Sequence, residues 1–237
     1  MKIISVDQNS KEWRAWRNKG LGASLAATIL EIDGAFGTRF EAWCELTGLC
    51  DKAPVNEFAA AWMQRGHEME PLARAKFEAE IGIAFPSICA EHDEHDFIRA
   101  SPDGYNAEHN AIIEIKCPGK VAHAEAIKAS KAGDGTLIPA KYYAQMQHQF
   151  LVTGASVGYY VSDDCKSDKV VWVKVLPDAA YMERLKAALI QFWSLVQMQI
   201  PPTPTPKDLK AISERIADAQ KRMNQATKAL TIYMESV

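Results

Sequence analysis

The stretch that most limits what this chain can fold into is Ser101 to Pro118, SPDGYNAEHNAIIEIKCP. It opens with a tight-turn signal, Pro102-Asp103-Gly104, crosses a polar bend through Asn106 to Asn110, and enters the run Ile112-Ile113-Glu114-Ile115-Lys116-Cys117. On a β-strand alternate residues share a face, so Glu114 and Lys116 point together while Ile113 and Ile115 point the other way into a core. A hairpin-like return then places Asp103 beside Glu114. Two carboxylates and an ammonium converge at one strand end, which is the equipment for holding Mg²⁺ and steering a water onto a phosphodiester.

The rest of the chain gives that strand a globular setting. With 237 residues, 48% of them apolar, there is material for one large domain or one domain with an appendage. A net charge of −3 argues against a generally basic nucleic-acid coat protein and leaves room for a local basic groove. The five cysteines, Cys44, Cys50, Cys89, Cys117 and Cys165, show no CxxC pair and no clustering with histidine. Free thiols in a reducing cytosol are expected rather than a disulfide framework or a structural zinc. No signal peptide precedes Met1-Lys2-Ile3, and no apolar run approaches the ~20 residues of a membrane span. A cytoplasmic protein without a membrane partner is the expectation.

In chain order, Ser10 caps a short helix through Trp13, Trp16 and Arg17, and Ser24 is a natural N-cap for a second helix, Leu25 to Ile32. Glycine-preceded helix starts beside an arginine suit a phosphate; by itself the same pattern is also a plain helical corner. A helix follows from about Arg39 to Leu46. A longer one, capped by Asn56 and reaching Gly82, is expected to kink or restart at Glu70-Pro71, aiming Glu70 inward. Ile83 to Ala90 and Phe97 to Ala100 read as strands joined by a solvated acidic tip. Gly119 to Lys131 and Pro139 to Val152 read as helices, with Gln145 and Gln149 on one face of the latter. Strands at Gly158 to Val161 and Val170 to Val175 precede a helix opened by Asp178.

Pro201 to Pro206 is a stiff spacer and marks the one clear boundary. It divides a body, 1–200, from a C-terminal helix, 207–237. In that helix Leu209, Ile212, Ile216, Ala219, Met223, Ala226, Leu230 and Tyr233 form an a/d seam. Its two alanines argue against a strong autonomous coiled coil, so docking on its own domain or packing between subunits is expected ahead of a foreign partner.

Asp103 and Glu114-x-Lys116, on adjoining strands, resemble the PD-(D/E)xK nuclease motif. Four blocks in order resemble its phage lambda exonuclease and YqaJ-like viral recombinase branch: Trp13 to Ser24, Arg65 to Phe77 with Gly66 and Glu70, SPDG with EIKCP, and Tyr143 to Gln147. The resemblance covers most of residues 10 to 195 and does not extend past residue 200. It implies an α/β (α+β) restriction-endonuclease-like core, a mixed central sheet flanked by helices. It further implies two Mg²⁺ ions, with Mn²⁺ as a substitute, held by Asp103, Glu114, Glu70 and the carbonyl of Ile115. Lys116 would contact the attacking water, Gln145 would help hold that region, and Arg17, Ser24 and Ser101 would bind a terminal 5′-phosphate. Such enzymes act on double-stranded DNA ends as toroidal homotrimers, with a single-strand annealing protein as partner, in the bacterial host of a phage or prophage.

The activity so implied is 5′-to-3′ digestion of linear duplex DNA, releasing 5′-mononucleotides and leaving a 3′ overhang for recombination. Two alternatives stand beside it: a site-specific or structure-specific endonuclease, which would cut closed circles, and a catalytically silent DNA-binding scaffold, which would bind DNA without Mg²⁺-dependent loss of duplex.

Overall fold

The computed structural model describes residues 1–49 and 57–235; the Asn56 cap and Cys50 lie outside them. Strand β1 (Lys2–Ile4) leads to Ser10, whose hydroxyl accepts from the Trp13 N–H at 3.0 Å and starts α1 (Lys11–Arg17). After β2 (Leu21–Gly22) come a 3₁₀ turn at Ala23–Leu25 and α2 (Ala26–Ile29). Here the structure departs from expectation. No side chain caps either turn; the Ser24 hydroxyl accepts from Arg17 at 2.6 Å instead. The helix also stops early, the chain turning through Glu31 at φ 54°.

Helix α3 (Arg39–Thr47) has a full capping box from Thr38 and Glu41 and ends on Gly48 at φ 70°. Helix α4 (Glu57–Ile81) runs through Pro71 without the expected restart. His67 and Pro71 both face solvent, so water can take the carbonyl that the proline leaves unpaired. The expected strand from Ile83 shrinks to β3 (Cys89–Glu91), which returns through β4 (Ile98–Ala100). Pro86 has no N–H for a ladder, and its carbonyl accepts from the Tyr105 N–H at 2.9 Å. Then follow β5 (Gly104–Asn106), β6 (Ala111–Lys116), α5 (Lys120–Ala132), a 3₁₀ turn at Gly135–Leu137, α6 (Ala140–Thr153), β7 (Val157–Ser162), β8 (Val171–Val175) and α7 (Ala179–Met198).

The strands form two four-stranded ladders, β1-β3-β4-β2 and β5-β6-β7-β8. Both mix orientations, and helices flank them, as the α/β reading required. β6 and β7 are parallel, with Ile112 opposite Gly158, which obliges the chain to cross over through α5 and α6. β6 is buried on both faces. Ile113 and Ile115 pack with Phe77 and Phe85 on the α4 side, and Ile112 packs with Met146 and Phe150 of α6 on the other. At Gly104 a Cβ would stand 2.6 Å from the Phe85 carbonyl oxygen, so only glycine lets β5 approach this layer.

Helix α8 (Pro206–Glu235) starts with proline at its first position inside a reciprocal cap. Asp208 Oδ2 accepts from the Thr205 N–H at 2.7 Å, and Thr205 Oγ1 accepts from the Asp208 N–H at 3.3 Å. Asp208 Oδ1 also accepts from Thr38 Oγ1 at 2.6 Å, tying this first turn to α3. Past that turn the helix leaves the body. Leu209, Ile216 and Met223 each expose more than half their surface, and residues 213–228 are exposed throughout. Of the two arrangements expected for the seam, docking on its own domain and packing between subunits, the first does not occur over residues 213–228, and polar contacts at the first turn, Thr38 with Asp208 and Lys207 with Glu41, tie α8 to α3. The side chains of Leu230 and Tyr233 lie outside the described residues.

Candidate active site

β5 and β6 pair with Gly104 opposite Ile113, which carries Asp103 to the end of β6. There Asp103 Oδ2 accepts from the Ile115 N–H at 2.6 Å. Glu114 is 1% exposed, and a charge so buried must be compensated. Its Oε1 accepts from Lys116 Nζ and from Gln145 Nε2 at 2.6 Å, and its Oε2 from Gln149 Nε2 at 2.5 Å. Pairing with Lys116 follows from the strand alternation seen in the sequence. The two amides come from one face of α6, which lies over β6. Gln149 was visible in the sequence only as one of two amides four residues apart; its contact with Glu114 makes it a site residue.

The electrostatics follow from this packing. Burial, then the charges of Glu114 and Glu70, hold the Asp103 carboxyl well above its ordinary 3.8, against the pull of Lys116 and the Ile115 N–H. Burial alone would lower the Lys116 ammonium, but the Glu114 and Asp103 carboxylates overcome it and raise the group, so Lys116 is a fixed cation. Glu70 lies close enough to act on Asp103, while its Oε1 pairs with Arg74 at 3.0 Å. Among the described residues no three His, Cys, Asp or Glu side chains converge into a metal cage. Asp103 and Glu114 as a buried pair of oxygen donors nevertheless fit Mg²⁺, which takes one or two carboxylates and completes its shell with water and substrate phosphate.

Arg17, Ser24, Ser101 and Gln145 line one cavity of about 30 Å³, together with Trp16, Gly22, Ala23 and Arg99. Gln145 therefore touches both this corner and Glu114. The Arg17 guanidinium lies 4.9 Å over the Trp13 ring and donates to Ser24; burial lowers its pKa while Glu114 opposes that shift. Arg99 is committed elsewhere: it donates to the Trp16 carbonyl and, at 2.8 Å, to that of Asp96, and it pairs with Glu91 at 3.3 Å.

A model of the YqaJ-like viral recombinase domain matches residues 12–156, which contain every one of these side chains. The chain belongs to the YqaJ-like viral recombinase family. No curated protein sequence matches it. Among solved structures, the alkaline exonuclease LHK-Exo from Laribacter hongkongensis superposes with a TM-score of 0.66 at 27% identity, covering 87% of this chain and 100% of that one. The same enzyme in complex with dAMP gives 0.65 at 28% identity, with the same coverage. A phage-related exonuclease from Haemophilus somnus 129PT shares the fold, with a TM-score of 0.51 at 18% identity, covering 76% of this chain and 96% of that chain.

In this YqaJ-like chain the acid pair at β5–β6 and the arginine corner on α1 meet through Gln145, which touches both. Cys89, Cys117 and Cys165 are free thiols, and among the described residues no helix is long and apolar enough to cross a membrane.

Proposed function

We propose that this protein is a Mg²⁺-dependent exonuclease that digests linear double-stranded DNA from its 5′ ends, releasing 5′-mononucleotides and leaving 3′ overhangs. The observation that carries the proposal is the double engagement of Gln145, which holds Glu114 and lines the Arg17 cavity. A cavity of about 30 Å³, roughly the volume of one water, has no room for a nucleoside, so a terminal phosphate would reach these side chains with its sugar and base left outside. Membership of the family and likeness to an alkaline exonuclease support the same reaction, and a dAMP complex of that relative accords with mononucleotide release.

In this mechanism Asp103, Glu114 and the Ile115 carbonyl would hold the metal, and Glu70 would join them only by leaving its pair with Arg74, since it does not converge with the two other acids. Bound Mg²⁺ would neutralise charge on the phosphoryl oxygens and acidify a water. Gln145 and Gln149 fix the Glu114 carboxylate so that its remaining lone pair keeps one direction. Lys116, as a permanent cation, stabilises negative charge on the attacking oxygen and on the phosphorane-like transition state. Arg17, Ser24 and Ser101 hold the terminal phosphate and so measure the scissile bond from the DNA end.

Duplexes labelled at each end, linear against closed circular, with and without Mg²⁺, test this directly. Label should leave the 5′ end first, from linear DNA and with Mg²⁺ only; cleavage of circles would make the enzyme an endonuclease. Arg17→Ala should lower the preference for 5′-phosphoryl over 5′-hydroxyl ends by about tenfold to hundredfold, and an unchanged preference would remove the end-pocket assignment.

The working form proposed is a homotrimer in the bacterial host cytoplasm, partnered by a single-strand annealing protein. The exposed seam of α8 is the surface offered for one of these contacts. Truncation after Ile200 should weaken either trimerisation, read by sedimentation, or retention of the annealing protein, read by pull-down. If neither changes, α8 serves neither contact.

A further inference from the structure

Trp13 ties together residues that are distant in sequence. Its backbone is fixed by the Ser10 cap, and as residue i to Arg17 at i+4 it shares one face of α1 with that arginine. The guanidinium lies over its ring at 4.9 Å. The indole Nε1–H donates to Ser101 Oγ at 3.0 Å, across 88 residues of sequence, at the end of β4 and two residues before Asp103. Trp16, on the same helix, is engaged elsewhere, its indole donating to Glu91 at 2.8 Å inside the Glu91–Arg99 pair.

The polarity of these bonds matters more than their number. Indole and guanidinium groups have no acceptor atom, so the Trp13–Ser101 and Arg17–Ser24 bonds run in one direction only. Each serine oxygen accepts there, and each hydroxyl proton is thereby free to point elsewhere. Ser24 Oγ accepts from Arg17 at 2.6 Å, and among the described residues the other neighbour of Ser101 Oγ is the Cys89 thiol at 3.5 Å, a long contact in which either group can donate. Two obligate donors thus leave both hydroxyl protons available to whatever enters the cavity between them, that of Ser101 at the cost of no more than its long contact with Cys89, and a corner lined by donors selects an anion.

We propose that Trp13 is a positioning residue for the 5′-phosphate, orienting Ser101 as a donor through its indole N–H and holding Arg17 flat through its ring. This rests on the reading of Arg17, Ser24 and Ser101 as the phosphate corner. Trp13 would act through these groups without touching the reacting atoms.

The test is the ratio of hydrolysis rates on 5′-phosphoryl and 5′-hydroxyl duplexes, measured for the full-length protein and for Trp13→Phe, Ser101→Ala, the double variant and Arg17→Ala. Because both substrates are given to one preparation, a loss of folded protein cancels from the ratio. Trp13→Phe keeps the ring and removes the donor, so the ratio should fall about threefold to tenfold. In the Ser101→Ala background the same change should cost nothing further, since its route is already gone. Additive losses in the double variant, equal slowing on both ends, or an unchanged ratio would each overturn the role of Trp13. If Arg17→Ala also leaves the ratio unchanged, the corner itself is misassigned; if Arg17→Ala lowers it and Trp13→Phe does not, only the Trp13 inference falls.

Discussion

Glu114→Gln should slow Mg²⁺-dependent hydrolysis of linear duplex DNA by about 10³-fold or more. The carboxylate sits 1% exposed with three donors aimed at it, from Lys116, Gln145 and Gln149. An amide in its place removes the charge a metal needs and sets an NH₂ group against donors that require an acceptor. Gln149→Leu leaves the carboxylate but removes one of its holders. Loss of an outer partner of this kind costs about tenfold to hundredfold in metal affinity or activity, so the variant should need correspondingly more Mg²⁺ to reach half its maximal rate. A Mg²⁺ titration of the rate separates the two substitutions. Near-normal hydrolysis by Glu114→Gln would place the chemistry elsewhere.

Asp103→Asn should be inactive and yet, without metal, more stable than the natural protein. Burial and the neighbouring Glu114 and Glu70 charges raise the Asp103 carboxyl well above 3.8, so the folded chain holds that proton more tightly than the unfolded one. The stability gained this way is fully present below the ordinary carboxyl value and is lost as pH rises through the raised one. Near neutral pH the metal-free protein therefore bears the cost either of burying that charge or of holding that proton, which asparagine does not have, while the amide oxygen can still accept from the Ile115 N–H. A rise of about 2–4 °C in melting temperature corresponds to about 1 kcal/mol for a chain of this size. Mg²⁺ should stabilise the natural protein more than the variant, and its affinity should increase with pH as Asp103 gives up its proton. Metal-free Asp103→Asn melting below the natural protein near neutral pH would show that Asp103 is held there as a structural hydrogen-bond acceptor, not as a strained charge.

What was legible in the sequence was short-range and periodic. Alternation along β6 placed Glu114 with Lys116, and Pro102-Asp103-Gly104 announced the return that brings Asp103 alongside. Helix ends with a chemical stop, such as Gly48, Gly82 and the Asp178 cap, were also readable. Partner choice was not. Ser24 has the chemistry of a cap, but nothing local shows that Arg17 will claim its hydroxyl. Pro86 ended a strand because Tyr105 took its carbonyl, and Tyr105 is placed by the β5–β6 return. Gln145, Gln147 and Gln149 look alike in sequence; only tertiary packing sends the first and third to Glu114 and the second to the Leu176 carbonyl. The Trp13 bond to Ser101 has no sequence signal, since it joins two segments through the fold alone.

Helix α6 works as a fixed reading frame. Gln145 and Gln149 address Glu114, Gln147 addresses the start of α7 through Leu176 and Asp178, and His148 addresses the Arg99 carbonyl at 3.1 Å. Each residue of a helix advances about 100°, so one residue inserted or deleted between Gln145 and Gln147 would turn Gln145 away from Glu114 if the other three side chains kept their neighbours, or misdirect those three if Gln145 kept its own. Length can drift in the loops on either side of α6, but across descendants of this chain the count of residues within the helix has to stay the same, whatever else in the sequence changes.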